Sequence, residues 1–364
     1  MKVGILGGGQ LARMIALAGY PLGLKFIVLD PDENAGAAGL SEHLQGAYDD
    51  PDLLAQLAEK ADVVTYEFEN VPAHVAEFLA SHTSVYPPAN ALAVAQDRLL
   101  EKNFFNEIGI GTAPYAAIDN LRDLQHAMAT IGYPAILKSR RMGYDGKGQV
   151  VLKSEAELES AWHSMQGAPS IVEGFVPFQR EVSIIAARRP SGDIVFYPLS
   201  ENQHSGGILR VARACTGDAE QAMAEDYARR LLEKLDYVGV IALELFDVNG
   251  RLLANEFAPR VHNSGHWSIE GSETSQFENH LRAILDLPLG STQTRGHTAM
   301  VNFIGGLPET QELLNLSHAH LHLYDKTPRK GRKVAHATIR SDDANVFDAG
   351  LETLSAMAQR VDNS

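Results

Sequence analysis

Short apolar runs alternate with stretches of helical spacing over the first 95 residues. The run at residues 2–7 leads into three glycines, after which Leu11, Ile15 and Ala18 recur at the spacing of one helix face. Further strands are predicted in KFIVLD, ADVVTYEF and the short SVYP, and further helices over residues 51–60 and 72–81. This alternation is typical of a parallel sheet covered by helices. We therefore predict a doubly wound α/β domain over residues 1–97.

A glycine-rich loop between two predicted strands stands in the middle of the chain. In residues 132–152, GYPAILKSRRMGYDGKGQVVL, an apolar run ends at Lys138, a loop carries three glycines, and a second apolar run follows. The backbone amides of such a loop can approach phosphate oxygens closely. The loop is not a P-loop, because a strand follows it and no Ser or Thr comes after Lys147. A hairpin tip with solvated lysines is the alternative.

Other charged residues lie on predicted regular elements. A single helix is predicted over residues 90–110, with Arg98 and Lys102 one turn apart on one face, for which a solvated face is the usual explanation. Glu173 and Glu181 lie in predicted strands among apolar residues. Salt bridges at a sheet edge, or the binding of a pair of hydroxyl groups, explain such acids equally well.

A predicted hairpin around Asn249-Gly250 carries two further acids. A two-residue turn places Glu244 opposite Asn255 and sends Glu256 to the other face, whereas a three-residue loop sets Glu244 across from Glu256. Facing carboxylates about 5 Å apart repel each other unless a cation lies between them. Magnesium held by one or two carboxylates and nucleotide phosphates would resolve that repulsion. One acid inside and one outside, each with a salt bridge, is the alternative.

A polar loop and a basic run follow the hairpin. Arg260, His262, Asn263 and His266 fall within seven residues, a combination that suits a small planar anion. Zinc is a weaker alternative, because the spacing matches no zinc signature. The run KTPRKGRK at residues 326–333 is either a clamp for a sugar phosphate or a solvated basic turn.

Composition narrows the classes of partner. The chain has 364 residues, of which 45% are hydrophobic and 21% charged, as in an ordinary globular protein with room for two or three domains. Its formal net charge of -15 disfavours nucleic acid and anionic membrane surfaces, so an anionic substrate needs a local basic site. Cys215 is the only cysteine, and neither a membrane span nor a signal peptide is evident. We expect a cytoplasmic protein.

The glycine turn near the N-terminus supports a competing function. Gly7, Gly9 and Ala12 satisfy the G-x-G-x-x-A fingerprint of dinucleotide enzymes, and Asp30 closes the next strand as a ribose-binding acid does. A dinucleotide-dependent oxidoreductase is therefore one alternative. Close packing in an α/β unit, or a plain phosphate site, explains the same glycines. A nucleotide-binding regulatory protein without chemistry is a third possibility.

Five segments together resemble a known family. MKVGILGGGQLARM, DRLLEKNFF, GYDGKGQ, NEFAPRVHNSGHW and YDKTPRKGRKVAH are similar to segments of the ATP-grasp superfamily and, within it, of the 5-(carboxyamino)imidazole ribonucleotide synthetase family of de novo purine biosynthesis. The resemblance implies a Rossmann-like pre-ATP-grasp domain at the N-terminus. It also implies a two-lobed α+β ATP-grasp domain over residues 98–290, with lobes of about 112–172 and 173–290, and a small β-rich C-terminal subdomain over 291–364 that packs on the site.

The resemblance also implies a reaction. An ATP-dependent carbon-nitrogen ligase of this family uses ATP and bicarbonate to form carboxyphosphate, and passes the carboxyl group to the amine of 5-aminoimidazole ribonucleotide. Mg²⁺, as two ions, accompanies ATP, Mn²⁺ is a possible substitute, and related enzymes are homodimers. Another ATP-grasp ligase of purine synthesis is the nearest alternative.

The resemblance further implies roles for individual residues. Those implied in catalysis are Arg260, His262, Asn263 and Lys138. Those implied in ATP binding are Arg98, Lys138, Gly143, Tyr144, Asp145, Gly146, Lys147, Gly148, Gln149, Glu173, Gly174, Phe175, Val176, Glu181, His204, Asn255 and Glu256. Those implied in substrate binding are Gly9, Gln10, Tyr144, Asp145, Arg260, Ser264, Lys326, Arg332 and Lys333. The implied metal ligands are Glu244 and Glu256. Many ATP-grasp enzymes carry a third ligand, an asparagine, where this chain has Ala258, so either fewer protein ligands hold the metal or Asn255 compensates.

Overall fold

A four-stranded parallel sheet organises the first part of the chain. The structure is a computed structural model that describes residues 1–143 and 148–362. The elements of this part are β1 (Lys2–Leu6), α1 (Gln10–Gly19), β2 (Lys25–Asp30), β3 (Glu42–Gln45), α2 (Pro51–Lys60), β4 (Val63–Tyr66), α3 (Ala73–His82) and α4 (Ala89–Ala95). The strands lie in the order β3-β2-β1-β4 and pair in parallel, as predicted. The segment SVYP forms only an isolated bridge at Val85, because Pro87 and Pro88 supply no N–H for a ladder.

The single helix predicted over residues 90–110 is wrong, because this segment belongs to two helices. After α4 the chain leaves the helical conformation at Asp97, and α5 (Arg98–Glu107) begins. The carboxylate of Asp97 accepts hydrogen bonds from the amides of Leu99 and Leu100, as an N-cap residue does. The break makes Arg98 the first residue of α5.

A four-stranded antiparallel sheet forms the small lobe of the next part. Its elements are β5 (Tyr115–Ile118), α6 (Leu121–Ile131), β6 (Ala135–Ser139), β7 (Gln149–Leu152), α7 (Leu158–Ser164) and β8 (Ser170–Gly174), with strand order β5-β8-β6-β7. The helix predicted from residue 155 starts with a 3₁₀ turn, Glu155–Glu157. Leu137 and Val172 are paired and pack against the helices. Lys138 and Glu173 therefore lie on the opposite face, since successive strand residues alternate between faces.

A nine-stranded sheet forms the remainder of the fold. Its elements and the accompanying helices are β9 (Arg180–Arg188), β10 (Ile194–Phe196), β11 (Leu199–Ser205), β12 (Ile208–Cys215), α8 (Gln221–Lys234), β13 (Gly239–Val248), β14 (Arg251–Ala258), α9 (Ser268–Gly271), α10 (Gln276–Ile284), β15 (His297–Ile304), α11 (Thr310–Leu314), β16 (Ala319–Leu323), β17 (Lys333–Ser341) and α12 (Ala344–Asp362). The main path is β14-β13-β9-β11-β12-β15-β17-β16, and β10 pairs with β9. The strand predicted over residues 195–204 is divided into β10 and β11 at Tyr197-Pro198, because the proline has no N–H to continue pairing.

The C-terminal strands extend the sheet of the large lobe. β15 pairs antiparallel with β12, so hydrogen bonding continues across the predicted domain boundary at residue 290. That boundary stays a prediction. Within the described ranges, no helix has the length and apolar character needed to cross a bilayer.

One core joins the N-terminal sheet to the large lobe. Its buried residues include Ile15 and Phe26 from the first part of the chain and Phe277 and Leu281 from α10. At the contact between α1 and α10, a Cβ on Gly19 would lie 2.3 Å from the ring of Phe26 and 2.9 Å from a methyl carbon of Leu281. The absence of a side chain at Gly19 lets the two helices approach.

We expect Gly19→Ala to destabilise the protein by about 1–3 kcal/mol, although alanine is the better helix former, because the added methyl group overpacks this contact. Gly39→Ala is the matched control, because no atom lies within 4 Å of the Cβ it would add. Urea unfolding of both variants gives the free energies. Equal stability of the two variants would show that the contact between the helices tolerates the methyl group.

Candidate active site

The β13-β14 hairpin places Glu244 directly opposite Glu256. The turn has two residues, Asn249 and Gly250, both with positive φ, so the three-residue loop was wrong. The facing of the acids is nevertheless confirmed, because a bulge shifts the register between Glu244 and the next residue and leaves Asn255 as the extra residue of β14. Sequence reasoning treated the turn as the only determinant of register.

Each of the facing carboxylates has a cationic or histidine neighbour. Arg98 Nη1 lies 2.7 Å from Glu256 Oε2, and His262 Nε2 lies 3.1 Å from Glu244 Oε1. The side chain of Glu256 is 39% accessible, but several cations lie close enough to act on its charge. Burial alone would raise the pKa of Glu256, but Arg98, Lys138 and Lys102 hold it well below its usual value. Glu256 is therefore ionised.

Two buried lysines share the carboxylate of Glu173. Lys102 Nζ lies 3.2 Å from Glu173 Oε2 and Lys138 Nζ lies 3.1 Å from Glu173 Oε1. Burial would raise the pKa of Glu173, but the two ammonium groups lower it. Burial lowers the pKa of Lys138, an effect that Glu173 opposes. A solvated face was therefore wrong for Lys102, whose side chain is 1% exposed.

The loop after β14 brings the predicted anion-binding residues beside the acid pair. Arg260 Nε donates to Glu69 Oε2 and Arg260 Nη1 to the carbonyl of Val261 at 3.2 Å. Burial would lower the pKa of Arg260, but Glu69, together with Glu244 and Glu256, raises it. Within the described residues, Arg260 Nη2 makes no hydrogen bond, so it is available to an anion.

Hydrogen bonds fix the side chains of His262 and Asn263 in this loop. Asn263 Oδ1 accepts from Asn302 Nδ2 at 2.5 Å. His262 Nδ1 lies 2.8 Å from Ser264 Oγ, which accepts from Ser183 Oγ at 2.7 Å. Ser264 is buried, so its hydroxyl orients the ring of His262 and is not exposed to a substrate. This contact is at odds with the predicted role of Ser264 in substrate binding.

The residues predicted for the nucleoside of ATP lie near an open pocket of about 420 Å³. The pocket is lined by Tyr133, Pro134, Val151, Lys153 and Phe175. Gly174 and Phe175 form backbone hydrogen bonds to Pro114 and Pro134, and Val176 is buried. Of the residues predicted for the ribose, Glu181 Oε2 contacts His204 Nδ1, which raises the pKa of His204 against the effect of burial. Glu173 does not line this pocket.

The N-terminal glycine turn binds a carboxylate of the protein itself. Gly9 N donates to Glu67 Oε1 at 2.6 Å and Ala12 N donates to Glu67 Oε2 at 3.1 Å. A Cβ on Gly9 would lie 2.5 Å from Glu67 Oε1, so the absence of a side chain at this position permits the approach. Asp30 accepts from Gly8 N and from Tyr48 Oη. The amides and the acid that a dinucleotide would use are thus already bonded, which argues against the oxidoreductase.

The predicted phosphate residues meet at the same turn. Lys326 Nζ donates to Gln10 Oε1, which brings the C-terminal basic run to the start of α1. Burial lowers the pKa of Lys326, against the attraction of Glu67. Arg332 donates to the carbonyl of Thr327 at 3.3 Å, and Lys333 begins β17.

Part of the predicted glycine loop lies within the described residues. Gly148 has a positive φ, and its neighbour Gln149 begins β7 opposite Lys138. Gly143 is the last described residue before the loop. Tyr144, Asp145, Gly146 and Lys147 lie outside the described residues.

The acid pair suits a divalent cation. Within the described residues, hydrogen bonds engage only one oxygen of Glu244 and one of Glu256. The side-chain oxygen of Asn255 is buried without a hydrogen-bond partner. One carboxylate oxygen of Glu244, one of Glu256 and the side-chain oxygen of Asn255 are therefore each able to bind a hard cation. No group of three or more Cys, His, Asp or Glu side chains among the described residues forms a metal site alone, so a metal here needs further oxygens from a ligand.

Sequence reasoning missed Glu67, Glu69 and Glu101. Glu67 and Glu69 follow β4 at the carboxyl edge of the parallel sheet, where ligand sites of open α/β sheets form, and that position was a usable signal. Glu101 Oε1 accepts from Phe257 N at 2.7 Å. Glu101 lies in α5, and no sequence pattern predicts that α5 packs against the edge of β14.

Comparison with known proteins agrees with this site. The sequence matches the Ribonucleotide synthetase preATP-grasp domain over residues 1–96, the ATP-grasp domain over residues 103–277 and the Phosphoribosylaminoimidazole carboxylase C-terminal domain over residues 298–349. The N5-carboxyaminoimidazole ribonucleotide synthase of Pseudomonas aeruginosa is 51% identical over 359 residues, which cover 99% of this chain and 100% of the relative. The chain belongs to the N5-carboxyaminoimidazole ribonucleotide synthase family.

Solved structures of N5-carboxyaminoimidazole ribonucleotide synthases share the whole fold. The synthetase of Thermus thermophilus superposes with a TM-score of 0.94 at 53% identity, covering 98% of each chain. The synthase of Aspergillus clavatus, in complex with ADP and 5-aminoimidazole ribonucleotide, superposes with a TM-score of 0.91 at 30% identity, covering 99% of this chain and 98% of that chain. The predicted family, fold class and enzyme class, an ATP-dependent ligase, are confirmed.

We predict that Glu101→Gln raises stability at pH 8 by on the order of 1–3 kcal/mol, and by less toward pH 5. Burial, with the nearby Glu256 adding to it, raises the pKa of Glu101 to about 8. The folded state thus binds this proton up to about pH 8, whereas the unfolded state releases it near pH 4.5, so stability falls as pH rises through this interval. Glutamine keeps an acceptor for Phe257 N without a charge.

Urea unfolding at pH 5.5 and pH 8 measures the difference. Glu107→Gln, at an exposed acid of the same helix that pairs with Lys234 at 2.7 Å, is the control and should show no such dependence on pH. The same change at both pH values for Glu101→Gln would mean that this carboxyl group does not titrate in the interval.

Proposed function

We propose that this protein carboxylates the amino group of 5-aminoimidazole ribonucleotide, using ATP and bicarbonate, with carboxyphosphate as the intermediate. The observation that carries the proposal is the charge cluster in which Glu244 and Glu256 face each other near Arg98, Lys138 and Arg260. Such an arrangement suits a triphosphate accompanied by a divalent cation. Membership of the family, and a relative crystallised with ADP and 5-aminoimidazole ribonucleotide, support the choice of substrate.

ATP would span the two lobes. Its phosphates would be bound by Lys138 and Arg98, which now form ion pairs with carboxylates. The adenine would enter the pocket beside Phe175, and the ribose hydroxyls would meet Glu181 with His204 behind it. In this arrangement the phosphate oxygens would bind Arg98 and Lys138, which in the free protein pair with Glu256 and Glu173.

Glu244, Glu256 and Asn255 would hold Mg²⁺ or Mn²⁺ through their oxygens. When bound, such an ion supplies positive charge to the phosphoryl group that is transferred. Arg98 and Lys138 add further charge from the protein side. Ala258 stands where many ATP-grasp enzymes have an asparagine ligand. Asn255 is the residue nearest to Glu256 in sequence whose side-chain amide oxygen can bind the metal instead.

The loop after β14 would bind the carboxyl donor. Arg260 presents Nη2, while Glu69 and the carbonyl of Val261 fix the rest of its guanidinium group. An oxygen of bicarbonate attacks the γ-phosphorus of ATP, ADP leaves, and carboxyphosphate forms. The amine of the ribonucleotide then attacks its carboxyl carbon, and inorganic phosphate leaves. His262 and Asn263, both held by hydrogen bonds, border this space.

The ribonucleotide phosphate would lie near the start of α1. Lys326, with Arg332 and Lys333 on the same basic run, supplies the charge, and Gln10 supplies an amide. Gly9 would contribute by its small size, because its amide already donates to Glu67. The homodimer and the cytoplasmic location stay predictions.

The decisive experiment is a phosphate-release assay on the purified protein. We expect release to require ATP, Mg²⁺ and bicarbonate, and to increase when 5-aminoimidazole ribonucleotide is added. Substituting formate or glycine for bicarbonate should give no product, which separates this reaction from those of other purine-pathway ligases. Absence of stimulation by the ribonucleotide would remove the assignment.

Glu256→Gln should lower turnover by about 10²–10³-fold, because it removes a charge that the proposed site needs. The variant should also be less stable, by on the order of 1–2 kcal/mol, because Arg98, Lys138 and Lys102 lose an anionic partner, while relief of the repulsion from Glu244 offsets part of that loss. Steady-state phosphate release and urea unfolding measure the two effects.

The control is Glu220→Gln. Glu220 forms an ion pair with Arg180 at 2.7 Å, the same separation as between Glu256 and Arg98, but outside the proposed site. That variant should keep full turnover. Loss of about 3 kcal/mol or more in Glu256→Gln would instead indicate a structural ion pair.

A further inference from the structure

Lys102 is a fully buried cation to which the proposed reaction assigns no role. Its side chain is 1% exposed, and its ammonium group lies 2.6 Å from the carbonyl oxygen of Asn255 and 3.2 Å from Glu173 Oε2. A buried ammonium group is costly unless it is paired and hydrogen-bonded. A weaker contact, at 3.5 Å, joins it to the carbonyl oxygen of Ala254. Its partners therefore lie in both lobes of the proposed nucleotide site, in β14 of the large lobe and at Glu173 of the small lobe.

The first partner is the bulge of an edge strand. β14 is the last strand of the nine-stranded sheet, so its outer backbone groups have no neighbouring strand. Ala254 N instead donates to the carbonyl of Gly111 at 2.8 Å, the carbonyl of Asn255 accepts from Lys102, and Phe257 N donates to Glu101 at 2.7 Å. Two adjacent residues of α5, Glu101 and Lys102, thus bind the backbone on both sides of Glu256.

The bulge determines which way the acids face. With a two-residue turn and no extra residue, Glu244 would oppose Asn255, and Glu256 would lie on the other face of the sheet. The extra residue restores the facing of Glu244 and Glu256. A bulge disrupts the ladder locally, so the group that satisfies its free carbonyl helps to hold it.

The second partner connects Lys102 to the phosphate-binding lysine. Glu173 binds Lys102 through Oε2 and Lys138 through Oε1. Without Lys102, the whole charge of Glu173 would attract Lys138 and compete with a bound phosphate. Lys102 therefore acts on the acid pair through Asn255 and on Lys138 through Glu173.

We propose that Lys102 is a positioning residue of the nucleotide site, which fixes the bulge of β14 so that both carboxylates face the metal, and which shares Glu173 so that Lys138 remains available to phosphate. The inference rests on the proposed function in taking the charge cluster around Glu244 and Glu256 as the site of ATP and metal. Lys102 itself touches no substrate in this arrangement.

The test compares Lys102→Met, in which Glu173 keeps Lys138 as a partner, with the unchanged protein. It also compares Lys102→Met/Glu173→Gln with Glu173→Gln, which measures the effect through Asn255 without the charge of Glu173. Two measurements need neither bicarbonate nor the ribonucleotide: binding of Mn²⁺·ADP followed by electron paramagnetic resonance, and amide hydrogen exchange in the protein without ligands. We expect Mn²⁺·ADP binding to weaken at least tenfold. We also expect the amides of Ala254 and Phe257 to exchange at least tenfold faster, while amides of β2 keep their rates.

The control is Lys234→Met, which removes an exposed lysine that pairs with Glu107 at 2.7 Å and should alter neither measurement. If either measurement in the double variant stays within threefold of Glu173→Gln, or if exchange accelerates equally in β2, Lys102 is only a structural residue and the inference is overturned. A protein that binds Mn²⁺·ADP normally but shows no bicarbonate-dependent turnover would remove the proposed function and leave this inference standing.

Discussion

Two carboxylates held face to face among buried cations are the constraint on which the rest of the site depends. Glu244 and Glu256 repel each other, and Arg98, Lys102 and Lys138 offset that repulsion in the free protein. The cations would in turn repel one another without intervening carboxylates. Glu173 lies between Lys102 and Lys138 and pairs with both, so charges of opposite sign alternate through this part of the interior. Such a network is stable only when each member keeps a partner, which makes the site ordered before any ligand binds.

The N-terminal sheet contributes acids to this site, and the groups that a dinucleotide would use there are bonded within the protein. Glu67 and Glu69 leave the carboxyl end of β4, where the first binds the amides at the start of α1 and the second binds Arg260. A helix N-terminus attracts anions, and here a side chain of the same protein occupies that position. The Rossmann-like fold thus serves to join the start of α1, the loop after β14 and the C-terminal basic run. The G-x-G-x-x-A pattern suggested a dinucleotide site, but in this structure the amides of Gly9 and Ala12 bind Glu67.

Local sequence patterns predicted the elements and the family but not the register or the partners. The strands around Lys138, the hairpin and most helices follow directly from apolar spacing and turn residues. The bulge at Asn255 was not predictable, because its cause lies in contacts from α5 that are distant in sequence. Lys102 was predicted on a solvated face, because an i, i+4 pair of cations carries no sign of burial. The break at Asp97 had a signal, since aspartate is a favoured N-cap residue, but the continuous helical spacing around it dominated the interpretation.

The most direct test of the facing acid pair as a metal site is diffraction at the manganese absorption edge from crystals grown with Mn²⁺ and ADP. The account predicts an anomalous peak between Glu244 and Glu256, within coordination distance of an oxygen of each, with Arg98 moved toward the phosphates. A nucleotide-bound crystal in which Glu256 still pairs with Arg98, and in which manganese lies elsewhere or is absent, would contradict it.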